Sequence, residues 1–165
     1  MAELKHITIF TDGGSLGNPG PGGYAAIVEF KDRRREFSQG FKLTTNNRME
    51  IMAAITGLSA LKERCRVTLY TDSQYLVNGV MKGWAKKWKA KGWMRNKTEK
   101  AENVDLWEKL LDLVSYHEVE FKWVRGHAGH TENEMCDKLC KQAAQAPDLL
   151  EDTGYKGNQK LNSLP

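Results

Sequence analysis

Four acidic residues occupy positions in which carboxylates could act together. Asp12 follows the apolar run ITIFT and Asp72 follows the run VTLYT, so each comes at the end of a predicted strand, where an ionised group loses solvation. Glu50 and Asp137 lie in two predicted helices. Side chains at strand ends beside a change of topology line the usual ligand crevice of an open sheet. Two aspartates on neighbouring strands would repel each other there unless a cation lay between them.

This pattern of carboxylates suits hard divalent cations. Mg²⁺ takes oxygen ligands from carboxylates, waters and phosphates. Two such ions roughly 4 Å apart can position a water and stabilise the departing oxygen of a phosphodiester. The sequence shows no Ser/His/Asp triad that would favour nucleophilic catalysis instead. We therefore predict that Asp12 faces metal and that the four acids suit metal-dependent phosphodiester chemistry.

Each acid also has an ordinary structural explanation. Asp72 precedes a predicted helix and could be its N-cap. Glu50 could be a solvated helix residue paired with a lysine, and Asp137 could belong to the wet face of its helix. Taken one at a time, these explanations are at least as good as the functional one. The case for chemistry depends on Asp12 and on the four acids together.

The strands around these acids predict an α/β fold, with a mixed sheet of three antiparallel strands and then two further strands, flanked by helices. The three antiparallel strands are predicted at residues 5–12, Tyr24–Phe30 and Arg35–Leu43, with a glycine-rich turn between the first two. The two further strands are predicted at Val67–Thr71 and Val119–Val124.

Helices alternate with the later strands. The first is predicted to begin between Thr45 and Asn47 and to continue to Arg64. Its predicted apolar stripe comprises Met52, Ile55, Leu58 and Leu61. Further helices are predicted from Ser73, from Asn103 as an N-cap, and after the loop RGHAGH.

Length and composition indicate one globular domain. The chain has 165 residues, of which 40% are hydrophobic and 28% are charged. We predict a domain at residues 1–155 and a flexible tail at residues 156–165. No apolar run approaches the length of a membrane span, and the first residues lack a secretory segment. We expect a cytoplasmic monomer with no membrane contact and no obligate protein partner.

The three cysteines fit a reducing compartment, because an odd number without a framework spacing argues against a disulfide scaffold. A zinc site is the alternative. Its candidate ligands would be His127, His130, Cys136 and Cys140. The two cysteines share one helical face with Leu139, and no Cys-x-x-Cys knuckle supports zinc. We therefore interpret the cysteines as small core residues.

Positive charge is concentrated at residues 82–97. This segment carries seven lysines and arginines and no acid, so the rest of the chain has a net charge of −3 against a total of +4. Such concentration is typical of a surface that contacts a polyanion.

Six motifs, in order along the chain, resemble bacterial type 1 ribonuclease H. They are TDGGSLGNPGPGGY, TTNNRMEIMAAI, YTDSQY, NVDLW, WVRGHAGHTENEMCD and EDTGY, and they extend from about Ile7 to Tyr155. The resemblance implies a ribonuclease H-like fold and hydrolysis of the RNA strand of RNA–DNA hybrids, leaving 5′-phosphate and 3′-hydroxyl ends. It also implies that one or two Mg²⁺ ions, or Mn²⁺, bind among the acids. The acids that match the family's motifs are Asp12, Glu50, Asp72 and Asp137.

The resemblance assigns further residues to the reaction and to the substrate. His127 would handle a proton or aid product release, since histidine titrates near neutrality. Residues 82–97 would form a basic protrusion on the DNA strand, with Trp88 near its sugar–phosphate backbone, whereas we expect Trp84 to pack into the protein. The phosphate-directed lysines would be Lys86, Lys87 and Lys89. Candidates for reading 2′-hydroxyls are Asn18, Asn46, Asn47 and Gln74, with Thr45 on a DNA phosphate.

Other functions stay open at this point. A transposase or junction resolvase on the same fold would share the acids but act on duplex DNA. A hybrid-binding module with a decayed site would bind without metal and without cleavage. In an RNA-binding protein, the lysine segment alone would account for the function. Replacing Asp12 distinguishes an enzyme from the last two, because only an enzyme would lose its activity.

Overall fold

The computed structural model describes residues 3–125 and 131–156. His127, and the predicted tail from residue 157 onward, lie outside the described residues. The elements in chain order are β1 (His6–Ser15), β2 (Gly20–Phe30), β3 (Arg33–Thr44), α1 (Asn46–Ser59), β4 (Arg66–Thr71), α2 (Gln74–Met81), α3 (Trp84–Ala90), α4 (Val104–Tyr116), β5 (Glu118–Trp123) and α5 (Thr131–Gln145).

The five strands form one mixed sheet in the order β3-β2-β1-β4-β5. β2 pairs antiparallel with β1 and β3, whereas β4 pairs parallel with β1 and β5. Phe10 of β1 is in register with Tyr70 of β4, so Asp12 and Asp72, each two residues further on, lie side by side where the pairing of β1 with β4 ends. Asp12 does not end its strand as predicted, because β1 continues to Ser15 and pairs Asp12 with Ala25 of β2. The predicted fold class is confirmed, and the sheet itself brings these two carboxylates together.

β2 begins four residues earlier than predicted, at Gly20, because glycines assigned to a turn pair with neighbouring strands. Gly23 pairs with Gly14 on β1 and with Gly40 on β3. A Cβ atom on Gly23 would lie 2.5 Å from the carbonyl oxygen of Cys140 in α5. This glycine therefore serves the close packing of α5 on the sheet rather than a turn.

α1 buries more of its surface than the predicted apolar stripe, of which Leu58 is fully buried. Met52 and Ile55 are only partly buried, and the helix ends at Ser59 rather than at Arg64. The reason is that α1 lies between the sheet and α4, where small side chains allow close approach on two sides. Its most deeply buried apolar residues are Met49, Ile51, Ala53, Ala54 and Leu58.

Two hydrophobic clusters hold the helices on the sheet. The larger packs α1, α2 and α4 around Trp107, whose indole N–H donates to the Tyr75 hydroxyl at 3.0 Å. The smaller packs α5 on β1 and β2 through Cys136 and Cys140. Both cysteines are buried and free, as expected for core residues. Within the described ranges, none of the helices has the length and apolar character needed to cross a membrane.

Candidate active site

Gly13 allows α1 to approach the end of β1 closely. A Cβ atom on Gly13 would lie 2.5–2.7 Å from the backbone of Met49 and Glu50, so a larger residue would push the helix away. This close approach sets the Glu50 carboxylate beside Asp12. The sequence TDGG therefore supplies both an acid and the space for a second acid.

Asp12, Glu50 and Asp72 form an acidic trio in which each residue offers an oxygen within 4.8 Å of the others. Glu50 is buried, Asp12 is partly buried and Asp72 is exposed, so the trio leads from the interior to solvent. The Glu50 Oε2 atom accepts a hydrogen bond from the Thr71 hydroxyl at 3.3 Å. The Oε1 atom is buried and has no hydrogen-bond partner among the described residues.

Asp137, the fourth acid, lies on α5 close to Asp12. A carboxylate oxygen of Asp137 and the Sγ atom of Cys140 both lie within 4.8 Å of an Asp12 oxygen. Asp137 also pairs with the exposed Lys141 ammonium, with Oδ2 to Nζ at 2.9 Å. Asp12 is thus shared by two groups of ligand atoms, the acidic trio and the pair on α5.

Crowding and burial raise the pKa values of two of these carboxyls, those of Asp12 and Glu50. Burial, and then the charge of Asp72, raises the pKa of Asp12 to about 7. Burial, and then the charge of Asp12, raises the pKa of Glu50 well above its usual range. A cation among the carboxylates would relieve this repulsion and give the Glu50 Oε1 atom a partner. The donor set consists of carboxylate oxygens, which fits a hard divalent ion such as Mg²⁺.

Hydrogen bonds orient the polar candidates beside β1 and α1. The Asn46 Oδ1 atom accepts from the backbone N–H and the hydroxyl of Ser15 at 2.7 and 3.0 Å. The Asn46 backbone N–H donates to the Asn18 Oδ1 atom at 3.1 Å. Thr45 is the N-cap of α1, where its hydroxyl accepts from the Arg48 N–H at 3.3 Å. Both asparagine amides are therefore held in defined orientations.

The remaining polar candidates are exposed. Asn47 lines a cavity of about 510 Å³ together with Asn18 and Thr45. Gln74 begins α2, two residues after Asp72. These positions leave the side chains of Asn47 and Gln74 accessible to a ligand.

The basic segment contains α3, on which Lys86, Lys87 and Lys89 are exposed. Trp88 is partly buried, with its ring 6.2 Å from the Trp107 ring in an edge-on arrangement. The expectation that Trp84 packs into the protein is wrong, because its side chain is 38% exposed, with the Lys82 ammonium 5.7 Å from the centre of its ring. Trp88 is the residue that packs against Trp107, and Trp84 lies one helical turn earlier, at the first residue of α3.

A family model described as RNase H matches residues 4–145 of the chain. The chain belongs to the ribonuclease H family. A Ribonuclease H from Desulforamulus reducens is 62% identical over 150 residues, covering 91% of this chain and 94% of that protein. A Ribonuclease H from Syntrophus aciditrophicus is 61% identical over 151 residues, covering 92% and 87%.

A solved structure extends the likeness to three dimensions. The crystal structure of LC9-RNase H1, a type 1 RNase H with the type 2 active-site motif, has a TM-score of 0.79 at 32% identity, covering 99% of this chain and 83% of that one. The predictions of the ribonuclease H family, its fold and a hydrolytic endonuclease are therefore confirmed. Neither comparison favours a DNA nuclease or a binding module without catalysis.

Trp123 is a site residue that sequence reasoning missed in this member of the ribonuclease H family. Its indole N–H donates to the backbone carbonyl of Asp72 at 3.1 Å, while its ring is 46% exposed. β4 and β5 pair Thr71 with Trp123, which brings the indole beside the next residue, Asp72. The signal available in the sequence was a large aromatic residue at the end of a strand that neighbours an acid-bearing strand.

Arg48 is a second residue that was missed, and it lies at the centre of a buried ionic network. Its guanidinium contacts both oxygens of Asp105 at 2.9 and 2.7 Å and both oxygens of Asp152 at 2.6 and 3.0 Å. Asn103 is the N-cap residue of α4, as predicted, but its φ is +61° and its side chain makes no capping hydrogen bond. It accepts instead from Arg48 at 3.3 Å and donates to Tyr75 at 3.3 Å.

Proposed function

We propose that Asp12, Glu50, Asp72 and Asp137 are the residues with which this ribonuclease H hydrolyses the RNA strand of an RNA–DNA hybrid, leaving 5′-phosphate and 3′-hydroxyl ends. The observation that carries the proposal is the acidic trio, with the raised pKa values of Asp12 and Glu50 and the buried Oε1 atom of Glu50, which has no hydrogen-bond partner among the described residues. Such an arrangement is costly for stability alone, and it suits a cation site.

We propose Mg²⁺, as one or two ions, for these carboxylates, with Mn²⁺ as a substitute. When bound, such an ion supplies Lewis-acid stabilisation of phosphoryl oxygens and a water of lowered pKa. Asp12 is suited to contact two cation positions, because it belongs to both groups of ligand atoms. The Thr71 hydroxyl donates to the Glu50 carboxylate and so orients it, and the Trp123 indole donates to the backbone carbonyl of Asp72.

Recognition of RNA would come from groups that contact the 2′-hydroxyl, which both donates and accepts hydrogen bonds. We propose this contact for four side-chain amides, since an amide also both donates and accepts hydrogen bonds. They are Asn18, Asn46, Asn47 and Gln74. Thr45 is proposed for a DNA phosphate. His127, outside the described residues, is proposed to handle a proton or to aid product release.

The test of this function uses one labelled RNA presented single-stranded, paired with RNA and paired with a separately labelled DNA strand. With Mg²⁺ we expect cleavage of the RNA only in the hybrid, and none when EDTA is present. Cleavage of the single strand or of the RNA duplex would indicate a less selective ribonuclease. Cleavage of the DNA strand would favour the transposase type, and hybrid binding without cleavage in Mg²⁺ or Mn²⁺ would favour a binding module.

The basic segment predicts a specific salt dependence of hybrid binding. Changing Lys86 and Lys89 together to alanine should reduce the slope of log affinity against log salt by about 2, because each neutralised phosphate contributes about 0.9. The helix should persist, since alanine favours helices. The matched control changes Lys62 and Lys109, two exposed lysines outside the segment. Equal slopes for the two double variants would exclude a phosphate contact by α3.

The surroundings of the reaction are also proposals. We propose that the protein works in the cytoplasm, which is supported by three free, buried cysteines. A monomer without an obligate protein partner, and a catalytic domain at residues 1–155 followed by a flexible tail, stay predictions. Sedimentation analysis and limited proteolysis would test them.

A further inference from the structure

Asp72 is the member of the acidic trio whose carboxylate is not oriented by a hydrogen bond. Within the described part of the chain its carboxylate oxygens accept none, whereas the Glu50 carboxylate accepts from the Thr71 hydroxyl at 3.3 Å. The N-cap of α2, a role open to Asp72 from the sequence, is Ser73 instead. The direction of the Asp72 side chain therefore depends on the backbone that carries it.

The end of β5 holds both peptide groups that flank the Cα atom of Asp72. The Thr71 carbonyl accepts from the Val124 N–H at 2.8 Å, and the Asp72 carbonyl accepts from the Trp123 indole N–H at 3.1 Å. The Ser73 N–H, in the second of these peptide groups, donates to the Thr71 hydroxyl at 3.1 Å. Because each peptide group is planar, fixing both groups fixes the direction of the Cα–Cβ bond between them. A side chain of the neighbouring strand thus takes part in orienting the Asp72 carboxylate.

Trp123 is not a core residue. Within the described residues it belongs to neither hydrophobic cluster, and its side chain is 46% exposed on β5, the strand at one edge of the sheet. An aromatic residue in such a strand could simply favour the extended conformation. Phenylalanine would serve that purpose equally well, but it lacks the N–H that the indole donates to the Asp72 carbonyl. The effect of the hydrogen bond and the effect of the ring can therefore be separated by substitution.

We propose that Trp123 is a positioning residue, whose indole N–H directs the Asp72 carboxylate toward a divalent cation bound by the acidic trio. Groups that orient a metal ligand without touching the ion contribute about tenfold or more to metal affinity. Loss of the indole donor should therefore weaken cation binding while the reaction itself stays intact. This inference rests on the proposed function, which assigns Asp72 to the cation, and it adds a residue that acts through Asp72.

Three variants separate the donor from the ring. Trp123→Phe keeps an aromatic ring and removes the N–H, and Trp123→Ala removes both. Tyr116→Phe is the matched control, because Tyr116 is an exposed aromatic residue two residues before β5 and the substitution also removes one donor. If the donor is what matters, Trp123→Phe should behave like Trp123→Ala. Urea unfolding in EDTA shows that each variant is folded.

The binding test titrates MnCl2 into the EDTA-treated, desalted full chain and follows free Mn²⁺ by its electron paramagnetic resonance signal. We expect about tenfold weaker binding in Trp123→Phe and Trp123→Ala than in the native protein and Tyr116→Phe. Native affinity in Trp123→Phe would overturn this inference and leave the proposed function standing. Absence of Mn²⁺ binding by the native protein would overturn both.

The activity test measures hybrid cleavage as a function of Mg²⁺ concentration. Trp123→Phe should need about tenfold more Mg²⁺ to reach half of its maximal rate, and saturating Mg²⁺ should restore the native rate. Hybrid binding in EDTA, measured by gel shift, should be unchanged, because the indole donor bonds to the protein. A rate that Mg²⁺ does not restore, or a loss of hybrid binding, would show that Trp123 acts on the substrate and would overturn the positioning role.

Discussion

Asp12→Asn is expected to reduce hybrid cleavage about a thousandfold while hybrid binding persists. Asp12 is the residue shared by the acidic trio and the α5 pair, so its loss affects every cation position that the structure offers. Metal assistance contributes several kcal/mol to such reactions, and about 1.4 kcal/mol corresponds to a factor of ten. Single-turnover cleavage and a gel-shift assay on the same hybrid would measure the two effects.

Asp112→Asn is the matched control, because Asp112 is an exposed acid on α4. It should cleave at the native rate. Cleavage by Asp12→Asn within tenfold of the native rate would contradict the central role of Asp12. Loss of hybrid binding along with cleavage would show that the substitution acts on the substrate surface rather than on the reaction.

Asp12→Asn should also stabilise the metal-free protein at high pH. The raised pKa of Asp12, about 7, means that between about pH 4 and 7 the folded protein holds a proton that the unfolded chain has released. Stability therefore falls as pH rises through this window. Asp12→Asn removes this effect and should gain on the order of 3 kcal/mol above pH 7. Urea unfolding in EDTA at pH 5 and at pH 8 measures how the free energy of unfolding changes with pH in the native protein and in Asp12→Asn. An equal change in the two proteins would contradict the raised pKa of Asp12.

The residues that the sequence revealed most clearly are those at strand ends. Asp12 and Asp72 each follow an alternating apolar run, and a parallel pair of strands must bring such residues to one edge. Glu50 was harder to assign, because α1 carries small residues on its buried face and only Leu58 of its predicted apolar stripe is fully buried. The helix position depends on Gly13, whose close contact with the α1 backbone is a tertiary fact that no periodicity reports.

Contacts between distant segments explain the other failures. The sequence alone does not distinguish the glycines of β2 from turn residues, because the packing of α5 against them is a tertiary contact. It also does not distinguish Trp84 from Trp88, because only the folded structure shows that Trp88 packs against Trp107. Cys140 was correctly interpreted as buried, yet its neighbours across the sheet could not be read from its helix. Periodicity reports which face is buried, whereas the partner across that face depends on the assembled fold.

Arg48→Met is expected to destabilise the protein by about 3–5 kcal/mol, because it leaves a buried carboxylate without its opposite charge. The side chains of Arg48 and Asp152 are 2% and 1% exposed, and the Asp152 carboxylate also accepts a hydrogen bond from the Thr44 hydroxyl at 2.7 Å. Methionine keeps most of the aliphatic volume, so the loss reports on charge rather than on packing. Urea unfolding at constant pH measures it.

Asp105 provides the comparison within the same network. Its side chain is 41% exposed, and the buried Arg48 guanidinium keeps Asp152 as a partner when its pair with Asp105 is broken. Asp105→Asn should therefore cost about 1 kcal/mol or less. A loss as large as that of Arg48→Met would mean that the exposed half of the network carries the stability.

Combining Arg48→Met with Asp152→Asn separates the ion pair from the rest of the network. The double variant no longer buries an uncompensated carboxylate, so its loss should be smaller than the sum of the single losses by about 1–3 kcal/mol. Additive losses would show that Arg48 stabilises the fold through Asn103 and Asp105 instead. The pair with Asp152 joins the segment after α5 to α1, two residues before Glu50, so the same cycle measures how far the end of the described chain supports the helix that carries this acid.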